Sequence, residues 1–364
     1  MIVDAAGSSL EHRPVRIGLV GLGDAGSHHA RALRYLSATG QAELAAVCAT
    51  NASTLQQRLR DLELPSSAAC FASLEDLLAS DCCDAVILAT PDGLHVDQIV
   101  ACARQGRHIL VEKPLALSWA DAQLAVAAAR QHDVLLHVGY HLRYHAAHQQ
   151  VIRRRDELIG PLRSLSVRWA WPDPATHGWR ALGQGARFWS LAALGTHALD
   201  LCQWFAGAPI AQTVGLTVPS LADGVDRSAE LAVEFASGVL AHISVAVTHR
   251  ALPRLLLVGE HGEVECLATL GSRGTGEIWH RPLRGSAVSI HFVEHDPYRA
   301  QLGAWMEAIR RHSSSAPDNG AATSHSTADV IAADLGAALE NVRVLDALRT
   351  GTSPATSVNS RGNE

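Results

Sequence analysis

From Val15 onward the apolar and polar positions fall into a repeating order. Val15–Val20 is a short apolar run, a glycine-rich turn follows, and Ser27–Ala38 carries Ala30, Leu33 and Leu36 at helical spacing. The alternation continues with strands over Leu44–Ala49, Ala85–Ala89, Arg107–Val111 and Val134–Gly139. Helices are expected between them at Ser53–Leu62, Leu74–Leu78, His95–Gln105 and Ser118–Gln131, with Ser73 and Ser118 as caps. Buried strands separated by helices point to an α/β architecture with a doubly wound parallel sheet.

After an expected helix at His145–Glu157, the Gly160-Pro161 break changes the rhythm. Leu165–Trp171 alternates apolar with polar residues, as half-buried strands do. Ala229–Phe235 and Val239–Val245 flank Ser237-Gly238 as one hairpin, and Arg254–Gly259 and Glu263–Leu267 form another. These strands come without intervening helices and predict a large, mainly antiparallel open sheet in an α+β domain. One helix is expected at Leu191–Phe205, others at Pro297–Arg311 and Ala328–Leu348, and a loop at 313–326. The expected division is residues 1–140, residues 141–350 and a loose tail at 351–364.

The 364 residues are 48% apolar and 18% charged, enough to bury a sizeable core. Thirty basic against 36 acidic residues leave no basic field for a nucleic-acid backbone. No apolar run has the length of a signal peptide or a membrane span, so a soluble, cytoplasmic protein is expected. Seven cysteines without a CxxC pair suggest neither a disulfide framework nor a zinc site, and no metal is expected; they read as small buried hydrophobes. Resolved further, the basic residues are 29 arginines and one lysine, Lys113.

Gly21-Leu22-Gly23-Asp24-Ala25-Gly26 follows the first strand and opens the first helix, which is the context a GxGxxG turn needs to cradle a pyrophosphate. Gly21, Gly23, Asp24, Ala25 and Gly26 are therefore candidate dinucleotide contacts of a Rossmann domain. The second strand ends without the Asp or Glu that holds the ribose 2′-OH of NAD. Thr50 and Asn51 stand there instead, with Ser53 and Arg58 beyond, so NADP is favoured over NAD.

Thr90-Pro91-Asp92-Gly93-Leu94-His95 and Glu112-Lys113-Pro114 lie just past two further strands, at the edge where open α/β sheets bind ligands. With the glycine turn, with Tyr140–His145, with Gly178-Trp179-Arg180 and with Gly195-Thr196-His197-Ala198-Leu199-Asp200, they resemble the Gfo/Idh/MocA family of sugar-related oxidoreductases over nearly the whole chain. The HLR, GWR and TH segments most resemble its 1,5-anhydrofructose reductase-like members. The resemblance implies an NAD(P)-dependent enzyme moving a hydride between nicotinamide and a hydroxyl or ketone of a sugar, anhydrosugar or cyclitol. It implies cofactor contacts at Thr90, Pro91, His95, Glu112, Lys113, Arg143, Trp179 and Arg180, and catalytic roles for Lys113 and His197 at the substrate oxygen.

The chemistry of the residues agrees with those roles. An ammonium can give up a proton where arginine cannot, and chance would leave the single lysine in this motif only about once in thirty basic positions. A structural Lys–Glu contact on the proline turn is the alternative. An ordinary imidazole changes charge near operating pH, which suits His197 to such a role. Many relatives carry an aspartate four residues before it, where this chain has Ala193, and the usual upstream Gly-Gly is Phe188-Trp189-Ser190 here. Asp200 either orients the imidazole or packs the helix. Arg143 is a cofactor contact or a surface residue, and Trp169, Trp171 and Trp189 read as packing. Arg153-Arg154-Arg155 reads as a wet helix face. Two rival functions remain open at this level: a non-catalytic dinucleotide sensor and an NAD-dependent glycosidase. The open sheet face points to a homodimer or homotetramer.

Overall fold

The computed structural model describes residues 13–172, 188–219, 225–314 and 327–350. The chain divides into two compact units, the first drawn from residues up to Ala146 with 272–274 and Glu294–Leu339, the second from Ala147–Gly271, Thr275–Val293 and residues from Glu340 on.

The first unit opens with β1 (Val15–Val20), α1 (Asp24–Ala38), β2 (Ala42–Cys48), α2 (Ala52–Asp61), β3 (Ala69–Phe71) and α3 (Leu74–Ala79). It continues with β4 (Ala85–Leu88), α4 (His95–Arg104), β5 (His108–Val111), α5 (Trp119–Gln131) and β6 (Leu136–Val138). The six strands form one parallel sheet in the order β3-β2-β1-β4-β5-β6. The strand order changes sense between β1 and β4, which makes the crevice past their carboxyl ends the natural ligand site. Every residue of β4 and β5 is buried, as strands covered on both faces require. Ser73 and Ser118 accept the Asp76 and Asp121 amides and cap α3 and α5. At the opposite edge of the sheet, Arg13 and Arg16 both hold the Asp84 carboxylate.

The chain continues through α6 (Ala146–Ile159), β7 (Leu162–Ala170), a π-helical turn at Leu191–Gly195, α7 (Thr196–Ala206), β8 (Ile210–Pro219), β9 (Asp226–Phe235) and β10 (Leu240–Ala246). It ends in β11 (Arg254–Gly259), β12 (Gly262–Leu267), β13 (Glu277–Pro282), β14 (Val288–Ile290), α8 (Pro297–Ser314) and α9 (Thr327–Thr350). Strands β7 to β14 form an eight-stranded sheet, β14-β13-β12-β11-β7-β10-β9-β8. It is antiparallel except where β10 pairs parallel with β7 at its centre. The two expected hairpins are β9–β10 and β11–β12. The sequence reading missed β8, β13 and β14, which are the strands at the sheet's two margins and carry irregular, half-exposed patterns.

Three further expectations are corrected. α1 begins at Asp24, three residues earlier than the periodicity indicates, because Gly26 lets the Gly21 carbonyl approach the helix backbone where a Cβ would collide with it. The expected single helix at Leu191–Phe205 is a π-turn followed by α7. α8, expected in the second region, packs Leu302, Trp305, Met306 and Ile309 into one core with Ala30 and Leu33 of α1 and with β1 and β2. Burial of such side chains stabilises by roughly 1.5–3 kcal/mol each, which fastens a C-terminal segment to the first unit. Of the cysteines, five are buried, but Cys70 is exposed and Cys82 partly so; all seven are free thiols.

Candidate functional site

The glycine turn sits at the carboxyl end of β1. Gly21 has φ +91, and its amide donates to the Cys48 carbonyl at 2.9 Å, tying the turn to the end of β2. A Cβ here would collide with the Ala89 carbonyl, so only glycine fits. Gly23 is the N-cap of α1, with no side-chain cap and open space where its Cβ would be. The first-turn amides of a helix have no intrahelical acceptor. An uncapped helix start with an open cradle fits a pyrophosphate. Thr50 and Asn51, past β2, are exposed, and the Asn51 carbonyl opens α2 by accepting from Leu55.

Past β4 and β5 the two remaining motifs are fastened to each other. His95, fully buried at the start of α4, faces the Pro114 carbonyl with Nδ1 at 2.8 Å and the Thr90 carbonyl with Nε2 at 3.1 Å. The histidine expected among the cofactor contacts is thus a clip between the two ligand-edge loops. Thr90 donates to Gln98 at 2.6 Å, and Pro91 leads into a 3-10 turn at Asp92–Leu94. Lys113 is half-buried and joined to Pro114 by a cis peptide.

Glu112 points inward. Its Oε1 lies 2.8 Å from His29 Nε2 on α1, and its Oε2 accepts the Lys113 amide at 3.3 Å. Gly139 makes the space: a Cβ there would stand 3.0 Å from the Glu112 carboxyl carbon. Burial by itself would raise the Glu112 carboxyl, yet the His29 hydrogen bond and the charges of His29, Lys113 and His141 hold it at about 2, well below the usual carboxylate range. Around this pair stands a column of rings. Tyr298 of α8 lies between His28 at 4.9 Å and His141 at 4.4 Å, both stacked, with His29 edge-on at 5.1 Å. Burial pushes the Tyr298 hydroxyl well above its ordinary value, and the Glu112 charge adds to the push. Arg143, on the 3-10 turn His141–Tyr144, is buried, so the surface alternative for it falls.

In the second unit His197 is the second residue of α7, buried and tilted against Trp169 at 5.9 Å. The π-turn before it begins at a carboxylate: Asp226 accepts the Trp189 amide at 2.7 Å, the Leu191 amide at 2.9 Å and the Ser190 hydroxyl. Asn341 donates to the Thr196 carbonyl at 3.2 Å and accepts from Gln203. Ala193 lies inside the π-turn, four residues before His197. Asp200 is buried one turn beyond. Trp169 and Trp189 are packed, whereas Trp171 is exposed beneath the Arg250 guanidinium at 4.6 Å, a correction to its core reading. In the arginine run, Arg155 donates to the Phe205 carbonyl, and so is only in part a wet face. Trp179 and Arg180 lie outside the described residues.

The sequence reading missed His29, Tyr298 and Asp226. His29 is three residues past Gly26 on the buried face of α1, but one histidine among 20 carries no signal by itself. Tyr298 and Asp226 are far in sequence from what they touch. Among the described residues no cluster of His, Cys, Asp and Glu could hold a metal, and no helix is long and apolar enough to cross a membrane.

Comparison with known proteins agrees with this arrangement. Residues 15–140 match the oxidoreductase family with an NAD-binding Rossmann fold, and residues 148–265 match the GFO/IDH/MocA C-terminal domain. The chain is 28% identical to 1,5-anhydro-D-fructose reductase of Ensifer adhaerens over 66% of its length and 73% of that protein. It is 28% identical to inositol 2-dehydrogenase 1 of Saccharopolyspora erythraea over 90% of its length and 96% of that protein. Among solved structures, a 3-ketoreductase from Actinomadura kijaniata in complex with NADP and TDP-benzene superposes with TM-score 0.79 at 21% identity, covering 93% of this chain and 98% of that one. An aldose-aldose oxidoreductase from Caulobacter crescentus gives TM-score 0.77 at 21% identity, covering 94% and 99%. Two family models in succession, over a parallel sheet whose ligand edge carries the glycine turn and the EKP loop, place the chain in the Gfo/Idh/MocA family of NAD(P)-dependent oxidoreductases, enzymes acting on CH–OH groups.

Proposed function

We propose that the protein reduces or oxidises a carbohydrate-like molecule, a sugar, anhydrosugar or cyclitol, at one hydroxyl or ketone carbon. The observation that carries the reading is the placement of the chain's one lysine at the carboxyl end of β5, on the same sheet edge as the glycine turn. The bound nicotinamide supplies the hydride chemistry. Gly21, Gly23, Asp24, Ala25 and Gly26 hold the pyrophosphate, Thr50 and Asn51 the adenosine ribose, and the loops clipped by His95, with Arg143, the nicotinamide end. Trp179 and Arg180 belong with that end by resemblance. Lys113 Nζ exchanges the proton of the substrate oxygen, with the His197 imidazole as second donor or acceptor. The substrates named for relatives, an anhydrofructose and an inositol, support the polyol class. The neutral end of β2 supports NADP over NAD.

The outer face of the eight-stranded sheet supports a homodimer or homotetramer. It exposes Val214, Leu216 and Val218 on β8 and Leu240 on β10, beside a hollow of about 240 Å³ lined by Ser166, Arg168, Glu230, His242, Ser244 and Arg254.

The test is a panel of sugars, anhydrosugars and cyclitols with each cofactor, followed at the reduced-nicotinamide absorbance. Net turnover supports the dehydrogenase reading, product without net absorbance change supports a glycosidase, and binding without turnover a sensor. Lys113→Arg retaining near wild-type kcat would falsify the catalytic assignment. Tighter binding of NAD than of NADP would overturn the cofactor preference.

A further inference from the structure

Trp169 and Trp189 are buried, whereas Trp171, two residues past Trp169, is 53% exposed. The strand ladder shows where it stands. Trp169 pairs with Val245 of β10, which pairs with Ala229 of β9, and all three are buried on the face covered by α7. The pairing runs one step further, since the Trp171 amide donates to the Ala246 carbonyl at 2.9 Å and the Val247 amide to the Arg227 carbonyl at 2.9 Å. Residues two apart in a strand share a face. Trp171, Val247 and Arg227 therefore form the next row on that face, about 6.6 Å beyond the row whose Trp169 lies against His197.

Each end of this row holds a guanidinium on an indole. Arg250, from the loop between β10 and β11, lies over Trp171 at 4.6 Å, and Arg227 lies over Trp189 at 4.1 Å. The described acids of β9 do not neutralise them. Asp226 is taken up by the Trp189 and Leu191 amides and the Ser190 hydroxyl, while Glu230 and Glu234 are exposed on the opposite face, Glu230 beside His242 and Ser244. Arg254, four residues past Arg250, is held by Glu265. Arg250 is exposed, and among the described residues it makes no ion pair and no hydrogen bond. An indole against its face fixes the plane of a guanidinium without using its N–H groups, because all five lie in that plane. The Arg250 fork is thus held flat and kept for a ligand.

We propose that Arg250 and Trp171 are a specificity element of the substrate site, and that the molecule reacting beside His197 carries an oxyanion, a carboxylate or a phosphate, which the Arg250 fork binds. The inference rests on the reading of His197 as a residue at the substrate oxygen, and it narrows the substrate from a polyol to an anionic polyol. Trp171 holds the fork in plane, and Arg227 contributes its positive charge through space. A neutral sugar offers such a fork only hydroxyl groups, which water replaces at little cost. An oxyanion offers two oxygens in the geometry of the fork and charge-assisted hydrogen bonds, which are about twice as strong.

Calorimetric titration of the NADP-loaded full chain with glucose, glucuronate, glucose 6-phosphate and UDP-glucose reads this element without turnover. At least one of the three anions should bind about tenfold or more tighter than glucose, and which one does so identifies a carboxylate, a phosphate monoester or a diphosphate as the group read. In Arg250→Gln the ratio of anion to glucose affinity should fall about tenfold, and in Trp171→Ala about threefold. Arg250→Lys should restore the ratio only in part, because an ammonium keeps the charge but lacks the fork. Both side chains are exposed, so none of these variants removes core packing. Failure of all three anions to bind more tightly than glucose overturns the proposal, as does an unchanged ratio in Arg250→Gln. A chain that turns over no polyol with either cofactor, but whose ratio falls in Arg250→Gln, refutes the proposed function and leaves the anion site standing.

Discussion

The surroundings of Lys113 and of His197 are built by different means. Next to Lys113 in sequence, Glu112 pairs with the His29 imidazole, beside a phenol stacked between two more imidazoles, groups drawn from three other segments. His197 stands in a neighbourhood shaped by backbone: a π-turn pinned at its start by Asp226, an apolar indole beside the ring, and Asn341 on the carbonyl of the preceding residue. The difference is between two ways of preparing a side chain's surroundings. One works through the charge of neighbouring groups, the other through the hydrogen-bonded path of the backbone. The first should respond to pH and charge-changing substitutions, the second to changes of hydrogen-bond geometry.

The largest expected effect tests the first side of the contrast. Lys113→Arg keeps the charge but removes the exchangeable proton, and kcat/KM should fall by about 10²–10⁴-fold while NADP dissociation constants change little. Steady-state kinetics and a fluorescence titration check both parts.

Acid should unsettle the first unit next. Burial holds His137 down to about 3 and His108 to about 4, against an ordinary 6.5. Gln301 Nε2 approaches the His137 Nε2 acceptor at 3.3 Å, which the neutral ring allows. The unfolded chain therefore binds more protons below about 6.5, and stability is lost as pH falls from there toward the folded values. Between pH 7.5 and 5.5 the two rings together should cost about 3 kcal/mol, read from urea midpoints. A flat profile would mean that this region does not rest on neutral buried imidazoles. The Glu112 carboxylate adds its own loss only below its ordinary 4.5, since its folded value is depressed.

Asp226→Ala probes the other side. It leaves two backbone amides and the Ser190 hydroxyl without their acceptor, at about 1–3 kcal/mol. With the π-turn unpinned, kcat should fall more than KM rises, and Asp226→Glu should fail to restore it because the longer acid cannot meet three donors at once. A kcat in Asp226→Ala equal to that of the wild type would remove the winding from the account. The smallest effect belongs to Ala193→Asp: the new carboxylate in the π-turn leaves Lys113 and His197 in place, so kcat should change by less than about tenfold.

Much of the first unit was legible because its signals are local. A glycine turn after an apolar run, serine caps before helices, and strands short enough to be buried on both faces are each written in a few consecutive residues. Lys113 stood out by composition alone. The marginal strands β8, β13 and β14 were not legible, since strands bordering solvent lose the clean alternation that burial enforces. The π-turn was not legible either: Leu191–Phe205 has ordinary helical composition, and the carboxylate that holds the start of the turn, Asp226, lies 35 residues from Leu191.

What the sequence determined by itself is the alternation that makes a parallel sheet, the ligand edge of that sheet, and the residue types that carry the chemistry there. These follow from periodicity, from glycine's freedom and from the pairing of one lysine with one motif. Only the tertiary structure decided the charge around that lysine. Glu112 can stay an anion in the core because α1 brings His29 to it, Gly139 leaves it room, and α8 arrives from nearly 190 residues away with Tyr298. Electrostatics in a buried site depends on distances between segments, and those distances exist only once the chain has packed.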